Sequence, residues 1–151
     1  MATGDYPPLL LVEDSPEDRV ATTRAFKKCG LMNPIVCCED GDDALDYLHR
    51  RGKYTEPSSA RRPGVILLDL NMPGTDGREV LAEIKADDAL KTIPVIVLST
   101  STDARDISGS YSAGASSYMR KPVDMDGFAA AMQSMKQWWF DVVILPGTGG
   151  R

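Results

Sequence analysis

Short apolar runs alternate with amphipathic segments along most of this chain. Four runs have the length and composition of buried strands, at residues 9–12, 35–38, 65–68 and 94–98. Apolar residues at helical spacing follow at residues 42–51, 78–87 and 103–113, and Ser15 and Asp124 mark the starts of two more helices. A short fifth strand is predicted just before Lys121. The alternation predicts a parallel sheet with helices on both faces.

Right-handed crossovers between such strands produce a doubly wound sheet. We therefore predict an α/β fold in which a five-stranded parallel sheet and five helices form a three-layer α/β/α sandwich. One domain is predicted at residues 8–137, and residues 138–151 form a separate C-terminal tail. The polar stretch at residues 53–64 is predicted to be a surface loop of unusual length.

Charged and polar residues stand where the predicted strands end. Glu13 and Asp14 follow the first strand, Asp69 the third, Ser99 the fourth and Lys121 the fifth. The carboxyl ends of parallel strands share one edge of the sheet, so these side chains are expected to lie together. Three neighbouring carboxylates repel unless a cation lies between them, and an all-oxygen set suits Mg²⁺. A lysine and a hydroxyl beside that ion would complete a site for a phosphoryl group.

Each of these residues also has a simpler interpretation when it is taken alone. Glu13 and Asp14 precede a helix and could act as a capping and dipole pair. Asp69 could be an Asx-turn residue, because the tight turn predicted at residues 70–77 follows it, and Ser99 could belong to a polar loop. The joint arrangement at one sheet edge is what favours the phosphoryl site.

The bulk composition argues against several classes of protein. Among the 151 residues, 17 are basic and 22 are acidic, and the net charge of -5 with no basic stripe disfavours binding to nucleic acid. No apolar stretch reaches the roughly 18 residues needed to cross a bilayer, and the N-terminus lacks the features of a signal peptide. We therefore expect a cytoplasmic protein that does not associate with a membrane.

Four segments, in order, carry a resemblance to a known family. They are LLLVEDS at residues 9–15, VILLDLNMPGTDG at 65–77, PVIVLSTS at 94–101 and the pair Lys121-Pro122. Together they resemble the receiver domains of bacterial two-component response regulators. The resemblance implies a flavodoxin-like sheet with strand order 2-1-3-4-5. It also implies a phospho-accepting signalling protein of a phosphorelay, which dephosphorylates itself slowly and is not an enzyme with turnover.

The resemblance further implies a role for each residue of the site. Asp69 would take a phosphoryl group from a sensor histidine kinase, and Ser99 and Lys121 would contact that group once it is bound. Mg²⁺ or Mn²⁺ would be held by Glu13, Asp14, Asp69 and the backbone carbonyl of Asn71. Ser99 and Tyr118 would form the switch that changes the surface of helix four, strand five and helix five. Pro122 would follow a cis peptide bond.

The C-terminal tail is almost continuously apolar. Its apolar residues are Trp138, Trp139, Phe140, Val142, Val143, Ile144 and Leu145. Exposed patches of this kind usually mark interfaces, so we predict that this arm forms one; the alternative is a tail that folds back over its own helices. The tail and the long loop also resemble the small single-domain regulators paired with cyanobacterial and bacterial phytochromes. That second resemblance implies a phytochrome as the kinase and dimerisation through extended arms.

Two other functions are compatible with parts of the pattern. A Mg²⁺-dependent phosphatase that forms an aspartyl phosphate would commonly show D-x-D-x-T, but Asn71 stands where the second aspartate would be. A dimeric scaffold that works without phosphorylation is the other alternative, and the complete set of acids and lysine argues against it.

Overall fold

The predicted strands and their order are confirmed in this computed structural model, which describes residues 6–56, 60–72 and 76–146. Within those residues the strands are Leu9–Val12 (β1), Ile35–Cys38 (β2), Val65–Asp69 (β3), Val95–Ser99 (β4) and Ser117–Arg120 (β5). They form one parallel sheet in the order β2-β1-β3-β4-β5. This is the flavodoxin-like order, so the carboxyl ends of β1, β3, β4 and β5 lie side by side.

Five α-helices connect and follow these strands in the described part of the chain: Pro16–Lys28 (α1), Gly41–His49 (α2), Gly77–Ala86 (α3), Ala104–Ser112 (α4) and Met125–Lys136 (α5). Each begins at a residue whose side chain accepts a hydrogen bond from a backbone N–H of the first turn, Ser15 for α1 and an aspartate for the others. Helix α2 ends earlier than predicted, because Arg50 adopts a left-handed conformation with φ of 56°.

The sheet has an apolar core on each face because successive strand residues point to opposite sides. Residues such as Leu10 and Leu68 pack under α2 and α3, and this set is called the α2/α3 core. Leu9 and Leu67 point the other way and pack with Phe26 of α1 and Met132 of α5, in what is called the α1/α5 core. The three predicted layers are therefore present, and the central strands β1, β3 and β4 are buried on both faces.

The long loop before β3 contains more structure than the sequence pattern predicts. A short 3₁₀ turn occupies Gly52–Tyr54. The Tyr54 hydroxyl donates a hydrogen bond to Asp43 Oδ1 at 2.9 Å, and the Tyr47 hydroxyl donates to the Arg61 carbonyl at 2.7 Å. These bonds fasten both described parts of the loop to α2; residues 57–59 lie outside the described residues, as do residues 73–75 of the turn predicted after β3.

The C-terminal tail divides its apolar side chains between two environments. Helix α5 continues into a π-helical segment at Gln137–Val142, where the chain turns, and the Val143 N–H bonds to the Trp138 carbonyl at 2.8 Å. Trp139, Phe140 and Leu145 pack against the α1/α5 core. Leu145 lies so close to Gly64 that a Cβ built there would approach its Cδ1 to 3.1 Å. This part of the tail therefore folds back over its own domain.

Other tail residues face solvent. Trp138 is 57% exposed, Val142 61% and Ile144 95%, and Val143 is partly buried. The predicted arm thus covers its own core with one set of side chains and presents a second set outward. Residues 147–151 of the arm lie outside the described residues. No helix found among the described residues is long and apolar enough to cross a membrane.

Candidate functional site

Three carboxylates meet at the carboxyl edge of the sheet, as the sequence predicts. Glu13 and Asp14 directly follow β1, Asp69 ends β3, and one oxygen of each lies within 4.8 Å of the others. Glu13 and Asp69 are buried, whereas Asp14 is partly exposed and leaves the cluster open to solvent. Burial raises the pKa of Glu13 to about 7, and the adjacent Asp69 adds to the shift. The donor set and its crowding fit a hard divalent cation.

The predicted lysine lies beside this cluster. Lys121 Nζ is 2.7 Å from Glu13 Oε1 and 3.7 Å from Asp69 Oδ2. A third carboxylate, Asp18 Oδ2, approaches the same ammonium to 2.7 Å. Burial by itself would lower the lysine pKa, but the hydrogen bonds to Asp18 and Glu13 outweigh it and raise the pKa. Lys121 is therefore held as an ammonium ion at the edge of the acidic cluster.

Ser99 is connected to Asp69 through Asn71. The Asn71 backbone N–H donates to Asp69 Oδ1 at 3.1 Å, and its side-chain amide donates to Ser99 Oγ at 3.3 Å. Ser99 is buried at the end of β4, and its Oγ also accepts the Ser101 N–H at 3.1 Å. The hydroxyl is therefore fixed at the same sheet edge as the carboxylates, and its partners hold it in one position.

The hydrogen bonds extend from Ser101 towards helices α3 and α4. Tyr118 is partly buried, and its hydroxyl donates to the Ser101 carbonyl at 2.9 Å. The Ser101 hydroxyl donates to Asp106 Oδ2 at 2.6 Å, and Arg78 Nη2 donates to Asp106 Oδ1 at 2.9 Å. A continuous set of contacts thus connects the Ser99 hydroxyl to the surface between α3 and α4.

Gly77 allows α3 to approach the end of β3 closely. A Cβ built at Gly77 would lie 2.4 Å from the Asp69 carbonyl oxygen and 2.7 Å from Leu70 Cα. Both neighbours are backbone atoms, which cannot move aside as a flexible side chain can. The sequence pattern assigns Gly77 only to a turn. In the structure, α3 can pack this close to Asp69 only because residue 77 has no side chain.

The prediction of a cis peptide bond before Pro122 is wrong for this structure. No cis peptide bond occurs among the described residues, which include Lys121 and Pro122. An X–Pro bond favours the trans isomer by only about 0.5–1 kcal/mol, so the sequence alone cannot decide between the two. In the trans form Lys121 already reaches both Glu13 and Asp18.

Sequence reasoning missed three residues around the site: Asp18, Arg19 and Asp106. Asp18 stands in the first turn of α1, where an acidic residue is expected simply to favour the helix dipole. Arg19 Nη1 donates to the carbonyls of Glu13 and Asp14 at 2.8 and 3.1 Å and thereby holds the acidic pair. One signal was available for Asp18 and Arg19: both lie at the start of the helix that follows the acidic pair.

The fold and this edge are those of a receiver domain. The family model for the response regulator receiver domain matches residues 9–133, and the chain belongs to this family. It is accordingly a phospho-accepting signalling domain of a two-component system.

The relatives include single-domain regulators. The chain is 37% identical over 148 residues to the response regulator Rcp1 of Synechocystis. The aligned region covers 97% of this chain and 99% of Rcp1. The crystal structure of the phosphorylated cyanobacterial phytochrome response regulator RcpA superposes with a TM-score of 0.87 at 38% identity, over 94% of this chain and 99% of RcpA. The Mn²⁺-bound form of Rcp1 superposes with a TM-score of 0.86 at 37% identity, over 93% of this chain and 99% of that chain.

Proposed function

We propose that Asp69 is the residue that accepts the phosphoryl group, from the phosphohistidine of a sensor kinase. The single observation that carries this assignment is the buried Asp69 carboxylate, which shares one sheet edge with two further carboxylates and the Lys121 ammonium. An aspartate in that position is destabilised unless cations neutralise the cluster. The position of Asp69 beside two further acids and the lysine supports its assignment as the nucleophile.

Glu13, Asp14 and Asp69, together with the Asn71 carbonyl, are the residues proposed to hold Mg²⁺ or Mn²⁺. The three carboxylates present hard oxygen ligands within 4.8 Å of one another, which fits either ion. A bound divalent ion would supply positive charge that offsets the charge of the transferring group. Arg19 keeps Glu13 and Asp14 oriented through their carbonyls, and the partly exposed Asp14 leaves an entry for donor and ion.

The transfer itself needs little covalent work from the protein. A carboxylate oxygen of Asp69 forms a bond to phosphorus as the bond between phosphorus and the histidine nitrogen of the kinase breaks, and the released imidazole takes a proton. Lys121 offers an N–H to the incoming oxygens, and the Ser99 hydroxyl can turn its proton towards them. Asn71 cannot serve as a general acid, and its amide is already bonded to Ser99, which favours a phosphoacceptor over a phosphatase.

Ser99 and Tyr118 are proposed as the switch. A phosphoryl group adds a charge of about -1.5 to -2, which attracts the Ser99 hydroxyl. Ser99 Oγ now accepts the Ser101 N–H, and Ser101 is the residue that bonds to both Tyr118 and Asp106. A movement of Ser99 therefore disturbs the contacts that fix Tyr118 and the start of α4. The surface formed by α4, β5 and α5 would change as a result.

A phytochrome is the proposed kinase, and the proposed assembly is a homodimer formed through the arm at residues 138–151. The similarity to Rcp1 and RcpA over nearly the whole chain supports the kinase class. The outward side chains of Trp138, Val142 and Ile144 support the dimer, because an exposed apolar set beside a folded core is typical of an interface. Phosphotransfer from cyanobacterial and bacterial phytochromes, each with and without red light, tests the partner.

Acetyl phosphate with Mg²⁺, followed by intact mass spectrometry, tests the assignment of Asp69. The wild type is expected to gain one phosphoryl group, and both Asp69→Asn and removal of Mg²⁺ by a chelator are expected to abolish the gain. Asp87→Asn, at an aspartate that caps the end of α3, is the matched control and should be phosphorylated normally. An adduct that persists in Asp69→Asn would place the phosphoryl group elsewhere, and a wild type without any adduct would favour the scaffold.

A further inference from the structure

Lys121 is shared among more carboxylates than the phosphorylation chemistry requires. Its ammonium has three N–H donors, and two of them are committed to Glu13 Oε1 and Asp18 Oδ2, both at 2.7 Å. Asp69 Oδ2, at 3.7 Å, is beyond hydrogen-bonding distance. The lysine is therefore held between α1 and the end of β1, and it makes no hydrogen bond to Asp69, which it faces only as an ion pair.

We propose that Asp18 is a positioning residue that competes with the phosphoryl group for Lys121 and so restrains phosphorylation. This inference rests on the proposed function of Asp69. In the unphosphorylated protein Asp18 keeps the ammonium on the α1 side of the site. When a phosphoryl group arrives, Lys121 turns towards it and Asp18 loses its partner.

Burial decides which of the two partners gives up the lysine. The Glu13 side chain is 1% exposed, whereas that of Asp18 is 39% exposed. A buried carboxylate that loses a cation partner is strongly destabilised, but a partly exposed one is rehydrated. The ion pair between Asp18 and Lys121 is therefore the one that breaks at low cost. The free energy of this ion pair must be overcome before Lys121 can reach the phosphoryl oxygens.

The charge of Asp18 acts in the same direction as its hydrogen bond. A carboxylate bonded to Lys121 lies near the position where two or more negative phosphoryl oxygens must bind. Like charges at that separation repel, and the repulsion weakens the binding of any phosphoryl donor. Removing the charge while keeping the shape of the side chain should therefore favour the phosphorylated state by both routes.

Glu17 provides a matched control for the charge. It precedes Asp18 in the same first turn of α1 and carries the same charge, but its carboxylate accepts the Ser15 hydroxyl at 3.2 Å and is exposed. Glu17→Gln therefore changes the net charge of the turn as Asp18→Asn does, without releasing Lys121. A difference between the two variants reports the lysine contact and not the overall field.

The test uses beryllofluoride with Mg²⁺, a stable mimic of the acyl phosphate, and measures its affinity by calorimetry. Asp18→Asn is expected to bind it about two- to fivefold more tightly than wild type, the range set by a partly exposed ion pair. Glu17→Gln should change the affinity by clearly less, and Asp18→Glu, which retains the carboxylate, should resemble wild type. With acetyl phosphate, Asp18→Asn should lower the half-saturating concentration and leave the maximal rate nearly unchanged.

A second background isolates the role of the lysine. In Lys121→Met, the Asp18→Asn change should lose the part of its advantage over Glu17→Gln that comes from the lysine contact, because no ammonium remains to be released. Only the part that comes from charge repulsion should remain. Equal effects of Asp18→Asn and Glu17→Gln in the native background, or weaker beryllofluoride binding by Asp18→Asn, would overturn the inference. A wild type that neither binds beryllofluoride nor accepts phosphate would instead contradict the proposed function of Asp69, so the two failures are distinct.

Discussion

Replacing Trp139 with alanine is expected to destabilise the folded chain, whereas the same change at the adjacent Trp138 should leave the stability of the monomer almost unchanged. Trp139 packs against the α1/α5 core together with Phe140 and Leu145. Trp138 points outward and is 57% exposed. The two variants delete the same atoms from neighbouring positions. They therefore distinguish a tryptophan that covers the chain's own core from one that is available to a partner.

The expected magnitude follows from burial. Truncating a fully buried Trp or Phe to alanine destabilises a protein by about 3–5 kcal/mol. Trp139 is partly buried, so about half of that range, roughly 1.5–2.5 kcal/mol, is expected. Surface substitutions usually change stability by less than about 0.5 kcal/mol, and this is the expectation for Trp138→Ala. The difference between the two variants should therefore be about 1–2.5 kcal/mol.

Urea unfolding measures this difference, at a protein concentration at which light scattering shows a monomer. Size exclusion with light scattering over a wide range of concentrations then measures association. Trp138→Ala should weaken the proposed dimer while keeping the monomer stable, and truncation after residue 137 should remove the dimer and also lower stability. An equal loss of stability in both tryptophan variants would refute the division of the arm into inward and outward side chains.

Three other outcomes test further parts of the structure. In urea titrations Gly77→Ala should lower stability by about 1–3 kcal/mol because its methyl group would meet backbone, and Gly109→Ala, with open space around it, should not. Mg²⁺ affinity measured by calorimetry should fall as pH drops through about 7, where Glu13 takes up a proton, and Glu13→Gln should flatten this profile. Because that pKa is raised from 4.5, the contribution of Glu13 to the stability of the metal-free protein is present below pH 4.5 and lost as pH rises through about 7. Tyr118→Phe should lower stability by about 0.5–1.5 kcal/mol, because the Ser101 carbonyl loses its donor, and should leave phosphorylation by acetyl phosphate intact; loss of the phosphoryl adduct would contradict this assignment.

The predictions that depended on strand ends were the most successful. Glu13, Asp14 and Asp69 lie together as expected because parallel strands bring their carboxyl ends to one edge whatever the details of packing. The position of Lys121 beside Glu13 follows for the same reason. The predictions that depended on a local choice between nearly equal states were less successful. The isomer of the bond before Pro122 is one example, because a small free-energy difference separates the two forms.

The role of Asp18 lay beyond any local pattern. Its first-turn position already has a sufficient local explanation in the dipole of α1, and its contact with Lys121 crosses more than a hundred residues of sequence. The same holds for Asp106, whose bonds to Ser101 and Arg78 require α3 and α4 to be adjacent. Long side chains find such partners only after the helices are packed.

By itself the sequence determined the alternation of strands and helices, the three α/β/α layers and the acidic edge with its lysine and serine. These follow from periodicity and from where each apolar run ends, which are local properties of the chain. Only the tertiary structure decided that the arm covers its own core with Trp139 and Leu145 while Trp138 and Ile144 face solvent. Only the packed structure, likewise, placed Asp18 on Lys121. The hydrophobicity of a side chain does not specify whether it packs on its own core or faces outward. The carboxylates that pair with an ammonium are those that the folded chain brings close to it.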